Sequence, residues 1–166
     1  MGAGKSAVAR ILGERLGTVV ADLDAMLEAE EGRTIAELFE HAGEAYFRRR
    51  ESELLEQALA AGAQVLACGG GVVLDPARRA ALRSRCHVVW LEVSAAEAAR
   101  RVAADGGTRP LLRGGTPAAE LARVLAARSP LYADAAAVRV PTEGRTPAQV
   151  AEVVLEAVRA ARRAGP

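Results

Sequence analysis

Apolar residues recur at helical spacing from Lys5 to Leu16, and Gly17 ends that run where a helix C-cap belongs. A short β-like stretch over 18–21 then delivers Asp22 and Asp24. Ile35, Leu38 and Phe39, and next Phe47, Leu54, Leu55 and Leu59, keep helical spacing on either side of Gly43, predicting two helices. The run over 65–68 is continuously apolar and stops in Gly69-Gly70-Gly71, the pattern of a buried strand. Pro76 opens a helix to about Arg83, a strand follows over 87–93, and a further helix over 95–104. Pro117 starts a helix to about Ala127, 137–140 forms a last short strand, and Pro147 opens the C-terminal helix. Strands alternating with helices, without an internal repeat, predict an α/β fold with a parallel sheet covered on both faces. In such sheets ligands bind beyond the carboxyl ends of the strands, which nominates one site around Asp22, Asp24 and the triple glycine.

The segment 105–116 breaks the periodicity: it is polar, glycine-rich and carries arginine, the character of a lid loop. With 166 residues, 51% of them hydrophobic, the chain is expected to form one domain, 1–166, with a real core. A formal net charge of +1, with the charges spread along the chain, argues against nucleic acid as a partner. No apolar run approaches the length of a membrane span and the N-terminus lacks a signal-peptide layout, so a cytoplasmic protein without a membrane partner is expected. Cys68 and Cys86 sit in apolar, strand-like surroundings without ligand spacing, and read as core thiols.

One count changes the picture. Of the 22 basic residues 21 are arginine, and the single lysine, Lys5, stands inside a glycine-rich run. Gly2-Ala3-Gly4-Lys5-Ser6, followed by Ala7 and a helix, is the second half of a phosphate-binding loop. Glycines let consecutive N–H groups and the helix N-terminus face phosphate oxygens, Lys5 reaches the β and γ phosphates, and the Ser6 hydroxyl suits Mg²⁺. A compact ammonium fits between two phosphates where a planar fork would not, which suits the solitary lysine. The first glycine of the full pattern would precede Met1, and the strand that should feed the loop is absent from the sequence. A start at an internal methionine of a longer natural chain is the expectation that follows.

The ordered set of motifs resembles shikimate kinase over essentially the whole chain. It comprises Gly2 to Ser6, Asp22 and Asp24 about 16 residues later, and Gly32-Arg33-Thr34. Phe47-Arg48 with Glu51, the triple glycine, Arg109-Pro110-Leu111-Leu112 and Arg128-Ser129-Pro130-Leu131-Tyr132 continue it. The resemblance implies a three-layer P-loop NTPase-type parallel sheet flanked by helices, with a lid at about 105–116 and a substrate-binding helical segment at about 24–62. It implies ATP-dependent phosphorylation of the 3-hydroxyl of shikimate, with ATP and Mg²⁺ as cofactors and a monomer as the working unit.

The same resemblance assigns roles that chemistry supports. Arg48 and Arg128 match the arginines that grip the substrate carboxylate, and bidentate charge-assisted pairing is the reason arginine serves there. Glu51, one turn beyond Arg48, would orient that guanidinium. Asp24 matches the residue that binds the reacting hydroxyl, and Asp22 the one near Mg²⁺, beside Ser6. Two carboxylates two residues apart at a strand end are equally turn formers and a helix N-cap, and Asp24 can serve in both capacities. Gly70 would offer its N–H to a substrate oxygen, while a tight turn alone accounts for the glycines equally well. Lys5, Asp24 and Arg109 form the expected catalytic set, with Arg109 brought in by the lid. Gly2, Ala3, Gly4, Lys5, Ser6 and Ala7, together with Arg101, Arg109 and Arg145, form the expected nucleotide side.

His41 and His87 lack a partner pattern and read as structural, and Trp90 as strand packing. Ile35, Phe39 and Phe47 suit a pocket wall and a core equally. Rival readings are another small-metabolite kinase of this architecture, such as a gluconate-type or nucleoside-monophosphate kinase, and a non-catalytic nucleotide-binding module. A nucleotide kinase needs a base-recognition segment, whereas Arg48, Gly70 and Arg128 form a carboxylate-and-hydroxyl set.

Overall fold

The computed structural model describes residues 2–104 and 116–164 of the chain. Helix α1 (Lys5–Leu16) leads into β1 (Val20–Asp22), and α2 (Leu23–Glu31), α3 (Ile35–His41) and α4 (Gly43–Ala60) follow. Then come β2 (Val65–Ala67), a 3-10 turn at Val72–Leu74, α5 (Pro76–Arg85), β3 (Val89–Glu92) and α6 (Ala95–Ala104). The chain continues as α7 (Pro117–Ala135), β4 (Val138–Pro141) and α8 (Pro147–Ala164).

Helix ends follow local chemistry. Gly17, at φ 62°, ends α1 in the left-handed region that a C-cap requires. Thr34 and Glu37 close a reciprocal capping box on α3. Helix α7 runs eight residues past the expected end at Ala127, with Pro130 inside it. Pro130 lacks the N–H that would reach Ala126 O, and beside that gap Ser129 Oγ donates to Leu125 O at 2.7 Å. Continuation also keeps Leu131 and Tyr132 packed against the main core.

The strands pair in parallel, β1 with β2 (Val20 opposite Val65, Asp22 opposite Ala67) and β3 with β4 (Val89 opposite Val138, Leu91 opposite Val140). The expected parallel sheet is thus in two parts, because among the described residues no strand stands between β2 and β3. Helix α1 spans the two parts. Its Ala9 and Leu12 pack on Val65 and Ala67, while Val8 and Ile11 pack with Val140 and the apolar face of α8.

The largest core lies between α2, α4, α5 and the 3-10 turn. Leu54 and Leu55, 0% exposed, sit at its centre, and each contributes roughly 1.5–3 kcal/mol by burial. Phe47, 4% exposed, belongs to this core, and the half-buried Phe39 packs against it with the rings 4.6 Å apart. Strand ends therefore open onto a surface backed by a rigid helical layer. No helix among the described residues is long and apolar enough to cross a membrane.

Candidate active site

The aspartates leave the end of β1 in different roles. Asp22 caps α2, its Oδ1 accepting from the N–H groups of Asp24 at 3.2 Å and Ala25 at 3.4 Å. The capping work falls to Asp22 and not to Asp24. The Asp24 carboxylate, which is half-buried, faces the triple glycine: a Cβ built on Gly69 would lie 3.2 Å from Asp24 Oδ1 and 2.7 Å from Glu51 Oε1. Gly69 is thus the opening through which two carboxylates approach the strand end.

Arg48 reaches the same place from α4. Its Nη1 donates to Glu51 Oε2 at 2.9 Å, and its Nε and Nη2 donate to Glu44 Oε1 at 3.3 and 3.2 Å. The guanidinium also lies 4.9 Å from the centre of the Phe47 ring. Three contacts from three directions hold one planar fork, which is what recognition of a carboxylate needs. A Cβ on Gly71 would overlap that guanidinium, 2.5 Å from Nη2 and closer still to Cζ and Nη1. Gly71 is a seat for Arg48.

From the far side α7 supplies Arg128 and Tyr132. The Tyr132 hydroxyl donates to Gly70 O at 2.7 Å, and Arg128 lies against the same hydroxyl. Burial raises the Tyr132 phenol above its usual range, so it stays a proton donor at neutral pH. Asp24, Arg48, Gly70 and Arg128, named separately from the sequence, therefore converge. Tyr132 entered the sequence reading only inside a motif. The contact that makes it part of the site spans 62 residues and leaves no local pattern.

Glu51 is the buried centre of this end, 1% exposed. Burial pushes its carboxyl above the usual range, and Arg48 and then Arg78 pull it back. Cys68 lies nearby, and burial pushes its thiol up to about 12, with Glu51 adding to the effect and Lys5 opposing it. A thiol so placed is inert, in keeping with the core reading of both cysteines, which are free. Helix α1 packs on the end of β2, Ala9 against Ala67, which brings the glycine-rich loop at its start toward the strand end that carries the triple glycine.

The loop itself has the geometry of an anion cradle. Gly4, at φ 81°, precedes α1 with no side chain capping the helix, so first-turn N–H groups face outward with the positive end of the helix dipole. Gly2 has φ 66°, and a Cβ there would lie 2.9 Å from Ala98 Cα, so loop and α6 touch through a missing side chain. Ser6 is exposed on the first turn and Lys5 is half-buried.

Arg101 welds this end together. Its Nε donates to Glu97 Oε1 at 2.7 Å, Nη1 to Gly2 O at 3.2 Å and to Thr142 Oγ1 at 3.1 Å, and Nη2 to Thr142 O at 3.0 Å. Thr142, 2% exposed, is tied in turn to Glu92 O at the end of β3. Arg101 thus joins the loop, β3 and β4 through its edge. Arg145 is exposed, its Nη1 donating to Pro141 O at 2.5 Å. Arg109 and the rest of the expected lid lie outside the described residues, Thr116 excepted.

Comparison with known proteins gives a consistent result. The family described as Shikimate kinase matches residues 1–159. The shikimate kinase of Symbiobacterium thermophilum is 44% identical over 157 residues, covering 94% of this chain and 90% of that one. Among solved structures, the shikimate kinase of Acinetobacter baumannii in complex with shikimate matches with a TM-score of 0.90 at 35% identity, covering 96% of this chain and 89% of that one. The shikimate kinase of Bacteroides thetaiotaomicron matches with a TM-score of 0.84 at 25% identity, covering 96% and 94%.

Proposed function

The chain belongs to the shikimate kinase family and is a phosphotransferase that phosphorylates shikimate with ATP; from that premise we propose how its residues divide the work. Arg48 and Arg128 grip the substrate carboxylate from opposite sides, and the Gly70 N–H binds a ring oxygen. Asp24 orients the 3-hydroxyl toward the γ-phosphate and accepts its proton. The nucleotide lies on the loop Gly2, Ala3, Gly4, Lys5, Ser6 and Ala7, with Lys5 on its β and γ phosphates. Arg101 shapes that loop from below, Arg145 borders the base, and Arg109 meets the transferring phosphate. One kinase domain, acting as a cytoplasmic monomer, completes the reading.

The observation that carries it is convergence. Asp24, Arg48, the triple glycine and Arg128 come from four separate elements to one strand end, toward which α1 brings the anion-binding loop. Phosphoryl transfer passes through a loose transition state, so positioning and charge neutralisation outweigh base strength. Mg²⁺ fits the residues present. Among the described residues no cluster of three or more acidic, His or Cys side chains is placed to hold a metal, and Mg²⁺ held by phosphates and water needs only one or two protein ligands. Ser6 and Asp22 would serve, Asp22 through water, since its Oδ1 already accepts two N–H groups. When bound, the ion neutralises charge on the β and γ phosphates.

The test is coupled ADP release with Mg²⁺-ATP and shikimate. Shikimate-dependent turnover is expected, and Asp24→Asn should lower kcat while leaving ATP binding intact. Near-normal turnover by Asp24→Asn with saturating shikimate would remove Asp24 from its role.

A further inference from the structure

Two guanidinium groups, not one, address Glu51. Arg78, on the first turn of α5, donates from Nη1 to Glu51 Oε2 at 3.2 Å, the same oxygen that accepts from Arg48 Nη1 at 2.9 Å. Glu51 Oε1 is buried without a hydrogen bond and is turned toward Gly69. The Arg78 side chain is 13% exposed, and its Nε meets Asp75 Oδ2 at 3.3 Å, close enough for an ion pair though not aligned as a hydrogen bond. Asp75 is itself held as the N-cap of α5, accepting from the N–H groups of Ala77 at 2.8 Å and Arg78 at 3.4 Å. A capped helix start therefore aims Arg78 at a buried carboxylate 27 residues away in sequence.

The charges around Glu51 make this arrangement consequential. Arg48 faces it from α4, Arg78 from α5, Asp24 from α2, and the thiol of Cys68 from the end of β2. Asp24 and burial both disfavour its charged form, while Arg48 and Arg78 favour it. If Arg48 also serves a substrate carboxylate, its attraction is shared with that anion, whereas Arg78, paired with Glu51 and Asp75, stays with the protein's own carboxylates.

We propose that Arg78 is a positioning residue for substrate: it fixes the Glu51 carboxylate, and Glu51 fixes the fork of Arg48. The proposal rests on the reading that Arg48 binds the substrate carboxylate. Removing Arg78 leaves Glu51 easier to protonate, and a protonated Glu51 no longer pairs with Arg48. Weaker shikimate binding that worsens toward acid pH is the consequence, with ATP binding untouched.

The experiment compares wild type, Arg78→Met, Arg78→Lys, Glu51→Gln and the Arg78→Met/Glu51→Gln double variant. Arg78→Met should raise KM for shikimate on the order of tenfold, the scale of coupling within one ion-pair network. KM for ATP should hold, and the acid limb of kcat/KM for shikimate should move to higher pH. Arg78→Lys should restore both effects in large part, and in the Glu51→Gln background Arg78→Met should no longer move the limb. An unmoved limb with unchanged KM for shikimate overturns the proposal, as does an equal loss toward both substrates, which would mark a scaffolding role. Where Arg78→Met does not fold, Arg78→Gln is measured in its place: a raised KM for shikimate with the limb moved to higher pH supports the proposal, and an unmoved limb or equal losses toward both substrates overturns it. Should the wild type fail to phosphorylate shikimate, the functional reading fails instead. The Arg78–Glu51 link is then read from melting temperatures of the four-member cycle, where additivity refutes it.

Discussion

Gly71→Ala offers a sharp test of the site, because the backbone tolerates the change and the neighbour does not. Gly71 has φ −91° and ψ −8°, a right-handed conformation open to any residue, so alanine brings no backbone strain. The added methyl, however, falls on the Arg48 guanidinium, 2.5 Å from Nη2 and nearer to Cζ. To reach an ordinary separation the guanidinium must retreat by roughly 1 Å. A retreat of that size is enough to carry the 2.9 Å bond from Nη1 to Glu51 out of hydrogen-bonding range. It also disturbs the 3.2 Å contact with Glu44 and the seat on Phe47.

Losing alignment in a charge-assisted hydrogen bond costs about 1.5–3 kcal/mol, so the expected rise in KM for shikimate is roughly 10- to 150-fold. Stability should fall less, by about 1 kcal/mol or 2–4 °C in Tm, because the overlapping group is the end of a flexible side chain. The assay is coupled ADP release at saturating ATP, with a thermal melt on the same preparation. A folded Gly71→Ala enzyme with KM for shikimate within about twofold of wild type would refute the seat. Equal rises in KM for shikimate and ATP would refute it as well, since the atoms nearest a methyl on Gly71 are all those of the Arg48 guanidinium.

Two further perturbations follow from the same geometry. Tyr132→Phe deletes the hydroxyl that donates to Gly70 O at 2.7 Å and lies against Arg128; it should raise KM for shikimate about five- to tenfold and lower stability by about 1 kcal/mol, read by titration and thermal melting. Glu97 is held down to about 2, first by its hydrogen bond from Arg100 and then by that from Arg101, against an ordinary 4.5. Its folded-state value lies below the unfolded one, so its contribution to stability is present above about pH 4.5 and is lost as pH falls toward about 2. Glu97→Gln should flatten that part of the Tm profile, and an unchanged acid slope would sink the assignment.

Element by element, the chain was readable where local chemistry decides. The start of α1 at Lys5, its end before Gly17, and α6 over Ala95–Ala104 follow from periodicity and caps. Helix α2 went unread as an element of its own because its nine residues begin directly at the end of a strand, where Asp22 serves both. Helix α7 outran its expected end because Leu131 and Tyr132 have a core to join, and tertiary packing outweighed a proline. The site residues Asp24, Arg48, Gly70 and Arg128 were visible through the family's motif order. Arg78 was not, since nothing local separates it from Arg79, which turns instead to Asp134 and the carbonyl of Val73.

Arg101 exposes a deeper division in the molecule. Sequence reasoning put it beside the nucleotide for its own charge, yet its guanidinium edge is taken up by Glu97, Gly2 O and Thr142. The bond to Gly2 O ties the guanidinium to the shape of the loop. The β3–β4 pair, with α6 and Thr142, supports the loop end, whereas the β1–β2 pair, with α4, α5 and α7, supports the carboxylate end. Each end is welded by a buried hub of its own, Thr142 at 2% exposure in one and Glu51 at 1% in the other. Helices α1 and α7 pack on both. Substitutions around Arg101 should then act on KM for ATP and those around Glu51 on KM for shikimate, while changes in the buried face of α1, at Val8 or Ala9, should lower kcat by misaligning the two. A 1 Å error between donor and acceptor ends is costly for in-line transfer, even when each end still binds its own ligand.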